Sequence, residues 1–187
     1  MIKIKRLILA ALLVFGCMTV TGCDAFSGRN KTINEIELDG FASMLTEYNT
    51  AATRHQVDEV TKIVYIEHGH TTVYRQAAID LFNKRIYINP SMSQTMDDNE
   101  PNKSLSDAEV KEARSILDQN GVLEWENEYG SLLDLDKKDI VFVSVGWSLY
   151  LQYSDNTVDR FIGYGTCIPD TYETFVEEIL AFANAKR

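Results

Sequence analysis

The amino-acid sequence predicts an α+β domain, in which an antiparallel sheet of about five strands carries helices packed on one face. Apolar and polar residues alternate along three neighbouring segments in the middle of the chain and along a longer segment near its end, which is typical of strands. Two other stretches, near 106–118 and 170–185, repeat apolar residues at helical spacing behind capping signals. Because the sheet face and the helix stripes both need apolar cover, we expect them to pack together.

The first 23 residues have the order of a secretion signal. Three basic residues, Lys3, Lys5 and Arg6, precede an apolar run over 7–15, and small residues lead up to Cys23. The ending Val20-Thr21-Gly22-Cys23 resembles the lipobox of bacterial lipoproteins, which implies cleavage before a diacylated cysteine. We therefore expect a signal peptide over 1–22, a lipid anchor and tether over 23–32, and a single α+β domain over 33–187.

Three alternatives to this N-terminal interpretation stay open. Cys17 also follows a glycine, although the bulky Phe15 beside it makes Cys23 the better lipidation site. The segment could also be an ordinary secretion signal, or an uncleaved membrane helix starting at Leu7. The apolar run is short for a membrane span, and Thr21, Gly22 and Asp24 interrupt any extension of it.

Charge and cysteine content narrow the classes of partner. The chain has a net charge of −10, and the predicted signal peptide carries only basic charges, so the remaining domain is more acidic still. This balance argues against nucleic acid and against electrostatic adhesion to anionic lipid, which leaves acyl chains as the contact with the membrane. Once Cys17 is removed and Cys23 acylated, only Cys167 remains, so no disulfide within the chain is expected.

The N-terminal half of the domain reads as an extended segment, a short helix and a meander. We expect the extended segment over 33–38 and the helix directly after Asp39, with Met44 and Leu45 on its buried face. Strand alternation begins at Val60, places Val64 and Ile66 on the same face as Val60, and ends near His68. Two further strands, over 72–81 and 85–89, are joined by a turn at 82–84.

The C-terminal half has clearer signals. Ser106 and Glu109 form a capping box for the first helix, and Gly121 supplies its left-handed stop. A long strand is expected over 139–154, followed by a two-residue turn at Asp155-Asn156 that places Tyr153 opposite Val158 in the returning strand. The last helix, near 170–185, is expected to lie across this sheet.

Several of these C-terminal residues occur in a recognisable order. Trp125 and Tyr129 come first, then Trp147-x-Leu149-x-Leu151-x-Tyr153, Gly163-Tyr164-Gly165 and Pro169-x-x-Tyr172-x-x-Phe175. This order resembles the C-terminal half of a family of uncharacterised bacterial surface lipoproteins. The resemblance covers about a third of the chain and implies a fold and a location, but no activity.

The residues that could carry chemistry form three groups. His68 and His70, at i and i+2 of a strand end, project to one side as two zinc ligands would, and His55 is the only other histidine. Because no third ligand is evident, a solvated turn is the better interpretation and we assign no metal ligand.

Cys167 stands where a helix N-terminus could activate a thiol, but a lone cysteine is more often a small buried hydrophobe, so we expect it to be buried and non-catalytic. Two acidic groups lack the glycine of a calcium loop: Asp97, Asp98 and Glu100, and Asp134, Asp136 and Asp139.

We therefore expect a lipid-anchored protein on the extracytoplasmic face of the cell membrane, with no cofactor and no catalytic residue assigned. A non-enzymatic module that binds an envelope protein or a small ligand is the favoured interpretation. The alternatives are an envelope hydrolase, using a metal at His68 and His70 or a pair of acids, and a protein that inhibits an envelope enzyme. Catalytic triads and acid pairs are defined in space rather than along the chain, so the sequence leaves these alternatives open.

Overall fold

The computed structural model describes residues 44–45, 49–69, 73–91, 94–130, 133–134, 141–142 and 145–185. These all belong to one compact unit, Leu38–Arg187. The predicted signal peptide, Cys23, the tether, the extended segment over 33–38 and most of the helix after Asp39 lie outside the described residues. The strands are β1 (Asn49–Thr50), β2 (Val60–Gly69), β3 (Val73–Asp80), β4 (Arg85–Tyr87), β5 (Lys103–Ser104), β6 (Glu128–Tyr129), β7 (Leu133–Asp134), β8 (Val141–Phe142), β9 (Val145–Tyr153) and β10 (Thr157–Tyr164), and the helices are α1 (Asp107–Gln119) and α2 (Tyr172–Ala185).

The main sheet contains eight strands in the order β1-β10-β9-β2-β3-β4-β5, with β6 also paired to β10. The α+β class is confirmed, but the predicted antiparallel sheet of about five strands is wrong in both size and direction. The strands β1 and β6 run parallel to β10, and together with β5 they are only two residues long. Such short strands show no alternation along the sequence, so no pattern announces them.

The long strand predicted over 139–154 is also divided. Its C-terminal part is β9, whereas Val141–Phe142 forms β8 and pairs with β7 in a separate two-stranded sheet.

Each face of the main sheet packs against its own apolar core. On one face, alternate residues of β2 and β9, including Tyr65 and Leu149, join the buried stripes of α1 and α2, as expected for helices on this side. The opposite face, which includes Val64 and Tyr150, packs against Met44, Leu45 and Met96 from outside the sheet. Both faces are therefore covered, and the sheet is a central layer.

Val60 lies on the other face from the one that the sequence predicted. We expected it to share a face with Val64 and Ile66, but Val60 belongs to the helix-side core and the other two to the opposite core. The pairing of β2 with β9 shifts register between Val60 and Lys62. A bulge of this kind adds one residue and reverses the alternation, which a simple two-residue period does not anticipate.

The two predicted helices are confirmed. The Ser106 hydroxyl accepts from the Glu109 backbone N–H, the Glu109 side chain accepts from the Ser106 N–H, and Gly121 has φ +58° after the helix ends. Each of these signals acts within one helical turn of the residue that carries it.

The β9–β10 hairpin differs from its predicted register by one residue. Val158 pairs with Gln152 rather than Tyr153, so the loop consists of three residues, 154–156. Only Asn156 takes the left-handed conformation, with φ +64°. Because side chains alternate, this register places Arg160 opposite Tyr150, away from the helices, and Asp159 opposite Leu151, on the helix side.

Candidate functional site

His55 lies at the centre of a polar cluster that joins the segment before β2 to the β9–β10 loop. Its Nδ1 is 3.3 Å from Glu59 Oε2, while its Nε2 is 3.1 Å from Thr157 Oγ1 and 3.5 Å from Asp155 Oδ2. The imidazole stacks on the Tyr153 ring with centroids 4.2 Å apart, and the His55 side chain is only 16% exposed. This cluster brings together a hydroxyl, an imidazole and carboxylates from distant parts of the chain.

The order Thr157, His55, Glu59 has the outline of a catalytic triad, but its hydrogen bonds oppose that role. The Thr157 hydroxyl donates to Asp155 Oδ1 at 2.7 Å, and a hydroxyl has a single proton to give. It therefore faces His55 as an acceptor, so His55 Nε2 must carry the proton between them. A base that activates a hydroxyl needs an unprotonated nitrogen at that position. The cluster thus joins the two segments by hydrogen bonds and does not activate a nucleophile.

The hydrogen bonds of the cluster favour the ionised form of the Asp155 carboxyl. The Thr157 backbone N–H donates to Asp155 Oδ1 at 2.9 Å, and this bond, followed by the bond from the Thr157 hydroxyl, lowers the pKa of the Asp155 carboxyl. An ionised Asp155 keeps the Thr157 hydroxyl occupied as a donor.

A hydrogen bond between Tyr153 and Asp159, next to the His55 cluster, depends on the observed hairpin register. The Tyr153 hydroxyl donates to Asp159 Oδ2 at 2.6 Å, and both residues are buried. Burial, and then the bond to Asp159, raise the pKa of Tyr153. Tyr153 therefore stays protonated and serves as a donor, not as a base.

An open groove of about 760 Å³ lies beside α1. We call it the helix groove. It is lined by residues 56–58 before β2, by α1, and by residues 121–124 after that helix. Buried Leu117 and Val122 contribute apolar lining.

The helix groove carries charges of both signs. Lys111 and Arg114, three residues apart on α1, lie on the same face, and Asp58, Asp118 and Glu124 are exposed along the walls. Arg114 Nη2 donates to the Val60 carbonyl at 3.0 Å, while its Nε is enclosed without a hydrogen-bond partner. In the part of the chain that the structure describes, no carboxylate forms an ion pair with Lys111 or Arg114. Lys111, whose charge also acts on the exposed Asp107, and the N–H groups of Arg114 that do not bind Val60 can therefore offer donors to acceptor groups of a ligand.

The histidines of the sequence analysis are not brought to one place. His68 is buried beside Gly146 at the far end of β2, whereas His55 precedes the start of that strand. The length of β2 separates them by roughly 25 Å. His70 lies outside the described residues. Among the residues described, no group of three His, Cys, Asp or Glu side chains is arranged to hold a metal ion.

The prediction that Cys167 is buried is wrong, because the residue is exposed. The chain turns after β10, and the Cys167 N–H donates to the Tyr164 carbonyl at 3.1 Å. The side chain then lies against Gly130, where an added Cβ would stand 2.8 Å from Cys167 Sγ. A tight turn at the end of a strand thus brings the thiol to the surface.

The acidic groups serve local structure where the structure describes them. The Thr95 hydroxyl donates to Asp98 Oδ2 at 2.7 Å and caps the short turn Met96–Asp98, and Asp97 and Glu100 are exposed. Asp134 lies in β7, and Asp136 and Asp139 fall outside the described residues.

Comparisons with known protein families, with curated proteins and with solved structures found no match for this chain. Within the described range, no helix is both long and apolar enough to cross a membrane.

The sequence analysis missed both the His55 cluster and the helix groove, because each is formed by segments that are distant in sequence. Thr157 and His55 are 102 residues apart, and nothing along the chain links them. The i, i+3 spacing of Lys111 and Arg114 was visible, but a basic pair on a helix is usually a solvated face, and part of the groove lining comes from residues 56–58, before β2.

Proposed function

We propose that this chain is a lipid-anchored, extracytoplasmic binding module of the bacterial cell envelope and that the helix groove is its ligand-binding surface. The lipobox-like ending at Cys23 supports the anchor. The groove supports the binding role, and the hydrogen bonds around His55 favour it over hydrolysis by that cluster.

The two cations of the helix groove, for which the described residues provide no salt bridge, are the observation that carries the binding role. Lys111 and Arg114 offer donors to a carboxylate or carbonyl group, and the acids on the rim offer acceptors to an ammonium or guanidinium group. A segment of a partner protein with acidic and basic side chains carries both kinds of group. Such a segment, lying along the apolar lining of the groove, is the class of ligand that we propose.

Photo-crosslinking in living cells tests this proposal at the groove itself. A photoreactive amino acid in place of Ser115, which lines the groove, should give a discrete adduct with one envelope protein. Adding Lys111→Glu should reduce the yield of this adduct by at least about fivefold, because it places a negative charge where the ligand's acidic group binds.

Two matched controls separate the groove from the rest of the surface. The same photoreactive residue at Glu177, exposed on α2 and outside the groove, should not give the adduct. Lys103→Glu makes the same charge change on β5 and should leave the Ser115 adduct intact. Failure of the Ser115 position to crosslink, or equal adducts from both positions, would contradict the proposal.

A further inference from the structure

A second concavity lies at the end of the sheet where the β3–β4 and β9–β10 turns meet the start of β2. Its volume is about 230 Å³, and we call it the end pocket. None of its lining residues belongs to the helix groove. Pockets for drug-sized ligands start at about 300 Å³, so this one suits a single small ring.

Lys62 gives the end pocket an unusual donor. It lines the pocket, yet its relative exposure is only 9%. Among the described residues it has no hydrogen-bond or ion-pair partner, and its Nζ is not enclosed by protein, so the ammonium end opens into the pocket. The apolar stem is covered while the ammonium end is open to solvent, so its three N–H donors can reach the acceptors of a ligand.

Phe82 gives the same pocket an aromatic platform. It is 76% exposed, more than any other large apolar side chain of the described chain. Asn83, Ser154 and Asn156 line the same pocket and contribute amide and hydroxyl groups. An exposed aromatic face beside several polar groups matches a ligand that has an apolar face and a polar rim.

The neighbouring carboxylate decides between an anionic and a neutral ligand. Asp80 is fully buried and directly opposite Lys62 in the β2–β3 register. Its two oxygens accept from the Asn83 backbone N–H and side-chain amide, each at 2.8 Å. Asp80 offsets the positive charge of Lys62 and disfavours a second negative charge beside it, so an uncharged acceptor group suits Lys62 better than an anion.

We infer that the end pocket binds one sugar ring. A pyranose presents C–H groups on one face, which would lie against Phe82, and hydroxyl oxygens around its edge, which accept from Lys62 and exchange hydrogen bonds with Asn83 and Asn156. This site is separate from the helix groove, and its test does not depend on the proposed binding role of that groove.

NMR titration of the isotope-labelled full-length protein, in a detergent without a sugar headgroup, tests the inference. The probes are glucose, N-acetylglucosamine and methyl β-glucoside, with acetate and inorganic phosphate as anionic comparators. At least one sugar should produce saturable shifts confined to the signals of the end pocket. A response to the methyl glycoside would identify the ring as the end of a chain, and a response to the free sugars alone would identify a monosaccharide.

Variants assign the shifts to the proposed contacts. Phe82→Ala should weaken binding about fivefold, and Lys62→Met, which keeps the stem and removes the donors, about tenfold. Tyr74→Ala removes another exposed aromatic residue of the described chain, which is 57% exposed and lies outside the pocket, and should leave binding unchanged. Shifts with acetate or phosphate but not with sugars, no saturable shift with any sugar, or equal binding by Phe82→Ala and the wild type would each overturn the inference.

Discussion

The contact between Trp147 and Gly163 leaves less room for a side chain than at any other glycine compared in the described chain. The two residues are opposite each other in the β9–β10 register, and the indole lies across the glycine, so a Cβ there would stand 2.3 Å from Trp147 Nε1. The ring cannot move away easily, because it packs against Tyr172 at 4.7 Å and against Trp125 and Tyr129 at 6.0 Å. Glycine is therefore needed at 163 for space.

Gly163→Ala should lower the free energy of unfolding by about 2 kcal/mol or more, since overpacking a rigid core forces backbone or rotamer shifts. Urea denaturation followed by circular dichroism measures the change. Gly69→Ala is the matched control, because its nearest neighbour is Tyr74, an exposed side chain that can move aside. Equal losses for the two variants would show that the Trp147 contact is not the cause.

The loop of the β9–β10 hairpin makes a prediction at the scale of an element. Asn156 is its one residue with positive φ, so Asn156→Gly should retain the stability of the protein while Asn156→Ala lowers it by about 1 kcal/mol. Thermal melts of the two variants compare them directly. If alanine were tolerated as well as glycine, the left-handed conformation at this position would not limit stability.

This hairpin also shows which parts of an element can be predicted from sequence. Its existence follows from the alternation of Trp147, Leu149 and Leu151, and the helices follow from local caps such as Ser106. The register of the hairpin cannot be predicted from these signals, because Asp155 and Asn156 suit either a two-residue or a three-residue loop. The choice between the two loops depends on packing across the sheet. The same limit applies at Val60, where one bulge reverses the face of a strand.

At the scale of the whole molecule, the sheet is covered on both sides, and only one side could be predicted. The amphipathic stripes of α1 and α2 signal the helix-side core. The opposite core depends on Met44, Leu45 and Met96, which lie far apart in sequence from the strands that they cover. The sequence predicts that Met44 and Leu45 are buried but not that they cover the sheet, and Met96 is a single apolar residue in a segment without a period. The His55 cluster and the end pocket likewise join segments that are distant in sequence, so they emerge only from the three-dimensional structure.

The acidity of the whole molecule makes the anchor testable. A chain with a net charge of −10 is repelled by anionic lipid, so the domain has no electrostatic attraction to a bacterial membrane. Two acyl chains on Cys23 would supply stable attachment, since a single chain gives only marginal binding. We therefore expect Cys23→Ala to move the protein from the membrane fraction to the soluble or secreted fraction of a bacterial host.

Two other cysteine variants control this experiment. Cys167→Ala removes the exposed thiol of the folded domain and should leave the partition unchanged. Cys17→Ala removes the rival lipidation site and should also leave it unchanged. A Cys23→Ala protein that stays with the membrane would contradict the anchor, because charge disfavours that location and no acyl group remains to hold it there. Release by Cys17→Ala instead would move the lipidated residue to Cys17.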